Sequence, residues 1–215
     1  MIPDNLKQVR ENIASAAKRA GREANDIMLI CVTKYSEIDQ IKIAVDCGQS
    51  DLGENRVKDA LLKVGNLGTE ICWHMIGHLQ TNKVKDAVKF AQWIHSVDSL
   101  KIAQCIDEQS KKIGKVQKIL IEVNVSEESS KYGITEDQLS DLITQVKKLE
   151  NIELKGLMTM APICDPEDAR GYFKKLHDLK EEYSLEHVSM GMTQDYEVAI
   201  EEGATMVRIG SAIFR

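Results

Sequence analysis

Ile27-Met28-Leu29-Ile30-Cys31-Val32-Thr33-Lys34 is an unbroken apolar run, rich in β-branched residues, that closes on an amine. Its length and composition are those of a buried strand. Seven further segments read the same way: Asp51 to Gly53, Cys72 to Ile76, Trp93 to Val97, Lys118 to Val125, Glu153 to Met158, Glu186 to Met190 and Thr205 to Ile209. With Met28 to Thr33 as the first, the chain offers eight strands separated by amphipathic helical stretches. Strand alternating with helix demands a parallel sheet, because parallel neighbours need crossover connections. Eight repeats predict an α/β fold, a (β/α)8 TIM barrel. A doubly wound open sheet is the alternative, but no G-x-G-x-x-G or G-x-x-x-x-G-K-S/T follows a strand.

Local signals place several helix ends. Thr135 to Gln138 spells a capping box ahead of Leu139, Leu142, Ile143, Val146 and Leu149, which share one helical face. Asp165-Pro166 is an N-cap followed by proline at the first helical position. Gly203, after Glu201-Glu202, marks a helix end. The last strand stops a few residues before the final Arg215, so no full eighth helix follows it. An extra N-terminal helix, read over Asn5 to Ala20, is expected to cover that gap. No linker or low-complexity tract interrupts the pattern, so residues 1–215 are expected to form a single domain.

Composition narrows the function classes. Of 215 residues, 43% are apolar and 29% charged, as in an ordinary globular protein with a sizeable core. A formal charge of −6 argues against a nucleic-acid or anionic-membrane surface. Five cysteines, odd in number and never in C-x-x-C spacing, suit a reducing compartment, and the cytoplasm is the expected location. Met1-Ile2-Pro3-Asp4-Asn5 opens a charged amphipathic stretch, not the apolar core of a signal peptide, and no segment is long enough to span a bilayer.

In such a barrel the functional residues gather where strands end, at the C-terminal face. Unusual polar residues do follow the strand candidates: Lys34, Glu54-Asn55, Gly77-His78, Asn124, Met158-Thr159-Met160, Ser189-Met190-Gly191-Met192-Thr193 and Gly210-Ser211. A strand-end lysine either reaches into water or forms a Schiff base with a carbonyl substrate or pyridoxal phosphate. Barrels commonly hold phosphate with the loops after the seventh and eighth strands. Ser189, Gly191, Gly210 and Ser211 lie there, although a Gly-Ser pair after a strand is also an ordinary turn. Arg208, inside the last strand, needs a buried partner. A salt bridge across the barrel would serve, and so would the ring nitrogen of pyridoxal phosphate. His74 and His78 have H-x-x-x-H spacing, but on a strand and turn with no third ligand they predict no metal site. Lys131 is a second amine after the fifth strand, read as a solvated loop lysine.

At these residues the chain resembles the pyridoxal phosphate homeostasis protein family, which includes the bacterial YggS proteins. The resemblance is carried by Val32-Thr33-Lys34, Gly53-Glu54-Asn55-Arg56, Trp73 through Lys83, Gly156 to Met160, Ser189 to Thr193 and Val207 to Phe214. It implies a barrel of the alanine racemase N-terminal domain type, with pyridoxal 5'-phosphate as an internal aldimine on Lys34. It further implies phosphate contacts from Ser189, Gly210 and Ser211, a polar contact from Arg208 to the ring nitrogen or the phosphate, and neighbours at Asn55, His78 and Met190.

Two functions compete on that footing. One is a non-enzymatic protein that holds pyridoxal phosphate and controls its free level, so that its partners are the cofactor and the apo-enzymes that depend on it. The other is an amino-acid racemase, which needs bases on both faces of the substrate adduct. Alanine racemases, by resemblance, take one base from a second domain, and this chain leaves no residues for one after its eighth strand. Tyr35 is the one tyrosine beside Lys34. The binding protein is therefore expected, as a monomer without catalytic residues. A cofactor-independent barrel enzyme would leave Lys34 idle.

Overall fold

Strand β1 (Met28–Val32) pairs with β2 (Asp51–Glu54), and the order runs through β3 (Cys72–Met75), β4 (Trp93–Val97), β5 (Gln117–Glu122), β6 (Ile152–Met158) and β7 (His187–Ser189) to β8 (Met206–Ile209). Strand β8 pairs back onto β1, with Ile30 opposite Arg208 and Cys31 opposite Ile209, so the parallel sheet closes into a barrel. The computed structural model describes residues 1–68, 70–126, 128 and 132–215.

Closure explains the continuous apolar runs. Each strand has a face toward the barrel interior and a face toward the helices, and both exclude water. Ile30, Trp93, Leu120, Met158 and Met206 fill the interior. The opposite face packs on α2 (Ile38–Asp46), α3 (Val57–Leu67), α4 (Thr81–Phe90), α5 (Leu100–Lys112), α6 (Glu136–Val146), α7 (Pro166–Glu182) and α8 (Tyr196–Glu201). A four-residue turn, α9 (Ser211–Phe214), follows β8.

The N-terminal helix fills the gap in the outer layer between α2 and α8. Helix α1 (Ile2–Arg19) buries Leu6, Val9, Ile13, Ala16 and Ala17, an i, i+3, i+7 stripe, between α2 and α8. Each larger side chain of that stripe contributes about 1.5–3 kcal/mol of burial. Asn5 Nδ2 donates to Ile213 O at 3.1 Å, and Arg19 reaches Glu197 and Glu201 on α8 at 2.9 and 2.7 Å.

The element ends differ from the sequence reading where tertiary contacts intervene. Strand β5 stops at Glu122, not Val125, because Ile134 returns to bond Glu122 O and Asn124 N. Strand β7 stops at Ser189, and Gly191 then turns the chain with φ +86°. The Thr135 to Gln138 capping box forms, whereas Asp165 precedes α7 without a side-chain cap bond. No helix among the described residues is long and apolar enough to cross a membrane.

Candidate functional site

At the C-terminal ends of the strands lies a cavity of about 460 Å³ lined by Lys34, Asn55, Arg208, Gly210 and Ser211, together with Tyr35, Met160, Met192 to Asp195 and Phe214. A groove of about 480 Å³ outside the barrel, between α1 and α8, has no lysine, arginine or histidine among its lining residues. Of these two, the strand-end cavity is the one that carries an amine and a guanidinium.

Lys34 is exposed, two residues beyond β1, and its ammonium lies 5.1 Å from the Tyr35 ring centroid. The amine thus reaches into solvent, one of the two readings its strand-end position allowed; the residue sealed inside is Thr33, 0% exposed. Below Lys34, Thr33 Oγ1 donates to Glu54 Oε1 at 2.5 Å. Lys63 Nζ donates to the same oxygen and to Thr33 O, both at 2.6 Å. This buried ion pair clamps the end of β1 to the end of β2 and to α3. Sequence reading passed over Lys63, although it falls on the buried face of α3 with Val57 and Ala60. A lysine at that three-residue spacing was the available signal.

Asn55 follows β2, and its Oδ1 is buried with no hydrogen-bond partner among the described residues. Its backbone is pressed against Gly77, where any Cβ would collide with it. That close approach is why glycine stands after β3.

Arg208 is buried. Its Nη1 donates to Ser189 Oγ at 2.7 Å and its Nη2 to Thr159 O at 2.8 Å. Burial pulls the guanidinium down to about 10, against the attraction of Glu122 and Asp195, so it stays charged at neutral pH. No salt bridge spans the barrel from Arg208 among the described residues; hydrogen bonds hold it instead. Across the mouth, Ser211 Oγ donates to Thr193 Oγ1 at 3.1 Å, joining the loop after β7 to the turn after β8. Met192 N donates to Asp195 Oδ1 at 2.6 Å and folds that loop.

Three of the sequence candidates lie elsewhere. Ser189 points into the barrel beneath the cavity, its hydroxyl between Arg208 and His95. Met190 faces the opposite way and packs in the core under the helices. His78 turns aside, with Nδ1 3.1 Å from Asp98 Oδ2 and its ring stacked on Tyr132 at 4.0 Å. Lys131 lies outside the described residues. His74 is fully buried and bonded, separated from His78 by the turn. Its Nε2, the Cys72 thiol and an Asp51 oxygen lie within 4.8 Å of one another. Burial and Asp51 push the Cys72 thiol up to about 12, so the group holds together by hydrogen bonds.

Glu122, also missed, ends β5 inside the barrel. Burial, with Asp98 adding to it, pushes its carboxyl up from 4.5 to about 7, while Arg208 pulls the other way. The folded chain therefore keeps a proton that the unfolded chain releases, and stability falls as pH rises through that window. Glu122→Gln is expected to raise Tm at pH 8 and to leave it unchanged at pH 5. Equal shifts in melts at both pH values would remove Glu122 from the pH dependence.

The family model described as "Alanine racemase, N-terminal domain" matches residues 5–215. The pyridoxal phosphate homeostasis protein of Aquifex aeolicus is 42% identical over 98% of this chain and 96% of its own length. A crystal structure of an unknown protein from Bifidobacterium adolescentis is 34% identical with a TM-score of 0.92, covering 99% of this chain and 94% of that one. The structure of PipY from Synechococcus elongatus with PLP bound is 28% identical with a TM-score of 0.87, over the full length of both chains.

Proposed function

The chain belongs to the alanine racemase N-terminal domain family, among the pyridoxal phosphate homeostasis proteins, and on that footing we propose that it binds pyridoxal 5'-phosphate and serves intracellular vitamin B6 homeostasis without catalytic turnover. One observation carries the reading. A single cavity gathers an accessible primary amine, a buried guanidinium and a pair of hydroxyls, the complement of an aldehyde, a heteroaromatic nitrogen and a phosphate. The unpartnered Asn55 Oδ1 in its wall adds an acceptor awaiting a donor such as the ring hydroxyl.

Pyridoxal phosphate, when bound, supplies an aldehyde that condenses reversibly with an amine. Lys34 presents that amine at an open mouth, where the cofactor can be taken up and given back. Ser211 and Thr193 offer hydroxyls to the phosphate, and Gly210 lets the β8 turn approach β1 closely, since a Cβ there would lie 3.0 Å from Val32 O. Arg208 is assigned to the ring nitrogen: it donates and never accepts, so that nitrogen stays unprotonated. Ser189 acts through Arg208, Met190 through the loop backbone, and His78 stands at the rim. Residues 1–215 work as one binding domain, monomeric and cytoplasmic, whose partners are the cofactor and the apo-enzymes that need it.

The test is a visible titration with pyridoxal phosphate, borohydride reduction and mapping of the labelled peptide. The label is expected on Lys34, and incubation with L-alanine is expected to yield no D-isomer. No spectral change on titration, or sustained racemisation, would overturn the proposal. Ser211→Ala is expected to weaken binding roughly ten- to hundredfold, as befits the loss of a charge-assisted hydrogen bond. An unchanged Kd would remove Ser211 from the phosphate site.

A further inference from the structure

Arg208 heads a line of hydrogen bonds that crosses the barrel interior. Its Nη1 donates to Ser189 Oγ at 2.7 Å, and Ser189 Oγ lies 3.0 Å from His95 Nδ1. His95 Nε2 lies 2.9 Å from His74 Nδ1, and His74 Nε2 lies 3.1 Å from Asp51 Oδ1. Ser189, His95 and His74 are all 0% exposed. Asp51 opens β2, so it sits at the end of the barrel opposite the cavity, with its side chain 22% exposed.

The two ends dictate where every hydrogen in the line must be. A guanidinium can only donate, and an ionised carboxylate can only accept. Ser189 Oγ accepts from Arg208 and has a second lone pair, so the direction of its link to His95 is set from the Asp51 end: two neutral rings in series, each donating from Nε2 toward Asp51, leave His95 Nδ1 bare to accept the Ser189 proton. A neutral His95 then carries its proton on Nε2 and donates it to His74 Nδ1. A neutral His74 likewise carries its proton on Nε2 and donates it to Asp51.

The surroundings favour both neutral rings. His95 faces His74, His187 and the Arg208 guanidinium; burial first, and then the repulsion a second positive charge would meet beside those groups, holds it well below its usual value. His74 faces Asp51 and Cys72, with Lys115 and Lys118 beyond the thiol; burial lowers it against the pull of Asp51. Burial works against the charge on Asp51, yet its bonds to His74 and its neighbours hold the carboxyl below the usual range. Trp93 lies nearly parallel to the His74 ring, with centroids 6.0 Å and planes 4° apart, which fixes the plane in which His74 bridges His95 and Asp51.

We propose that Asp51, His74 and His95 are positioning residues for Arg208: a one-way chain from Arg208 through Ser189, His95 and His74 to Asp51 locks both histidines as Nε2–H tautomers and anchors the guanidinium from the far end of the barrel. Each link polarises the next, so the chain joins a cation under the cavity to an anion at the opposite mouth. Its effect on cofactor affinity rests on the binding function proposed above; the tautomers do not.

Nitrogen-15 NMR of the histidine rings in the ligand-free protein tests the chain directly. Both rings are expected as Nε2–H tautomers, unchanged between about pH 6 and 8, below and above the free imidazole value. An Nδ1–H tautomer at either ring, or an imidazolium at His95, would overturn the proposal without any reference to a ligand. The second measurement is pyridoxal phosphate affinity in position-51 variants. Asp51→Ala removes the terminal acceptor and is expected to raise Kd roughly three- to tenfold, the range of one hydrogen bond. Asp51→Asn keeps an acceptor oxygen and is expected to restore wild-type affinity. Ser50→Ala, which loses only a bond to Asp51 outside the chain, is expected to change nothing. A folded Asp51→Ala protein with wild-type affinity would sink the anchoring role. A wild-type protein that binds no pyridoxal phosphate would sink the functional reading and leave the tautomer test standing.

Discussion

Lys34→Ala will leave a folded protein that no longer gains visible absorbance with pyridoxal phosphate and has nothing for borohydride to trap in the cavity. Lys34 is the one primary amine lining that space among the described residues. Lys63, the nearest buried alternative in sequence, has its ammonium committed to Glu54 and to Thr33 O. Exposed at the mouth, Lys34 contributes little to the fold, so its removal should not disturb the melt. The loss of affinity is expected at roughly a hundredfold, about 2.7 kcal/mol, because only the non-covalent contacts remain. Retained absorbance, with the label mapped to another lysine, would transfer the role of the amine to that residue.

Lys63→Met is expected to have the largest effect on stability. It leaves Glu54, 0% exposed, as a buried carboxylate that loses, among the described residues, its one close cation, and whose other oxygen has no partner among them either. Breaking a buried pair on one side costs about 3–5 kcal/mol, which in a chain of this length lowers Tm by roughly 6–20 °C. The same lysine bonds the carbonyl of Thr33, so the turn that presents Lys34 should loosen and cofactor affinity should fall with stability. Adding Glu54→Gln is expected to recover part of the loss, since the stranded charge disappears. Calorimetry of the single and double variants checks both statements. A single variant that melts with the wild type would show that the pair does not clamp β1.

The barrel was legible because its strands are buried on both faces. Burial there writes runs such as Met28 to Val32 and Trp93 to Val97 into the chain, and crossover helices must separate them. The Thr135 to Gln138 box and the turn at Gly203 were legible because their signals are local. Lys34, Asn55, Arg208, Gly210 and Ser211 could be picked out because strand ends in a closed barrel converge on one face. Lys63 and Glu122 escaped notice. A lysine on a helix and a glutamate ending a strand look solvated until the closed sheet removes the water.

Amino-acid order alone therefore determined the number of strands, their parallel sense, the N-terminal helix that covers the seam between the first and last strands, and the family. The first three follow from hydrophobic period and local capping, which need only near neighbours in the chain; the family follows from the resemblance of the strand-end motifs. Closure of the sheet decided the rest. It turned Ser189 inward to Arg208 and Met190 outward to the helices, drew His78 away to Asp98, and threaded Asp51, His74 and His95 into one line. A residue's facing within a barrel depends on where its strand ends and on partners as many as 94 positions away in sequence, as between His95 and Ser189. No local pattern encodes such a pairing.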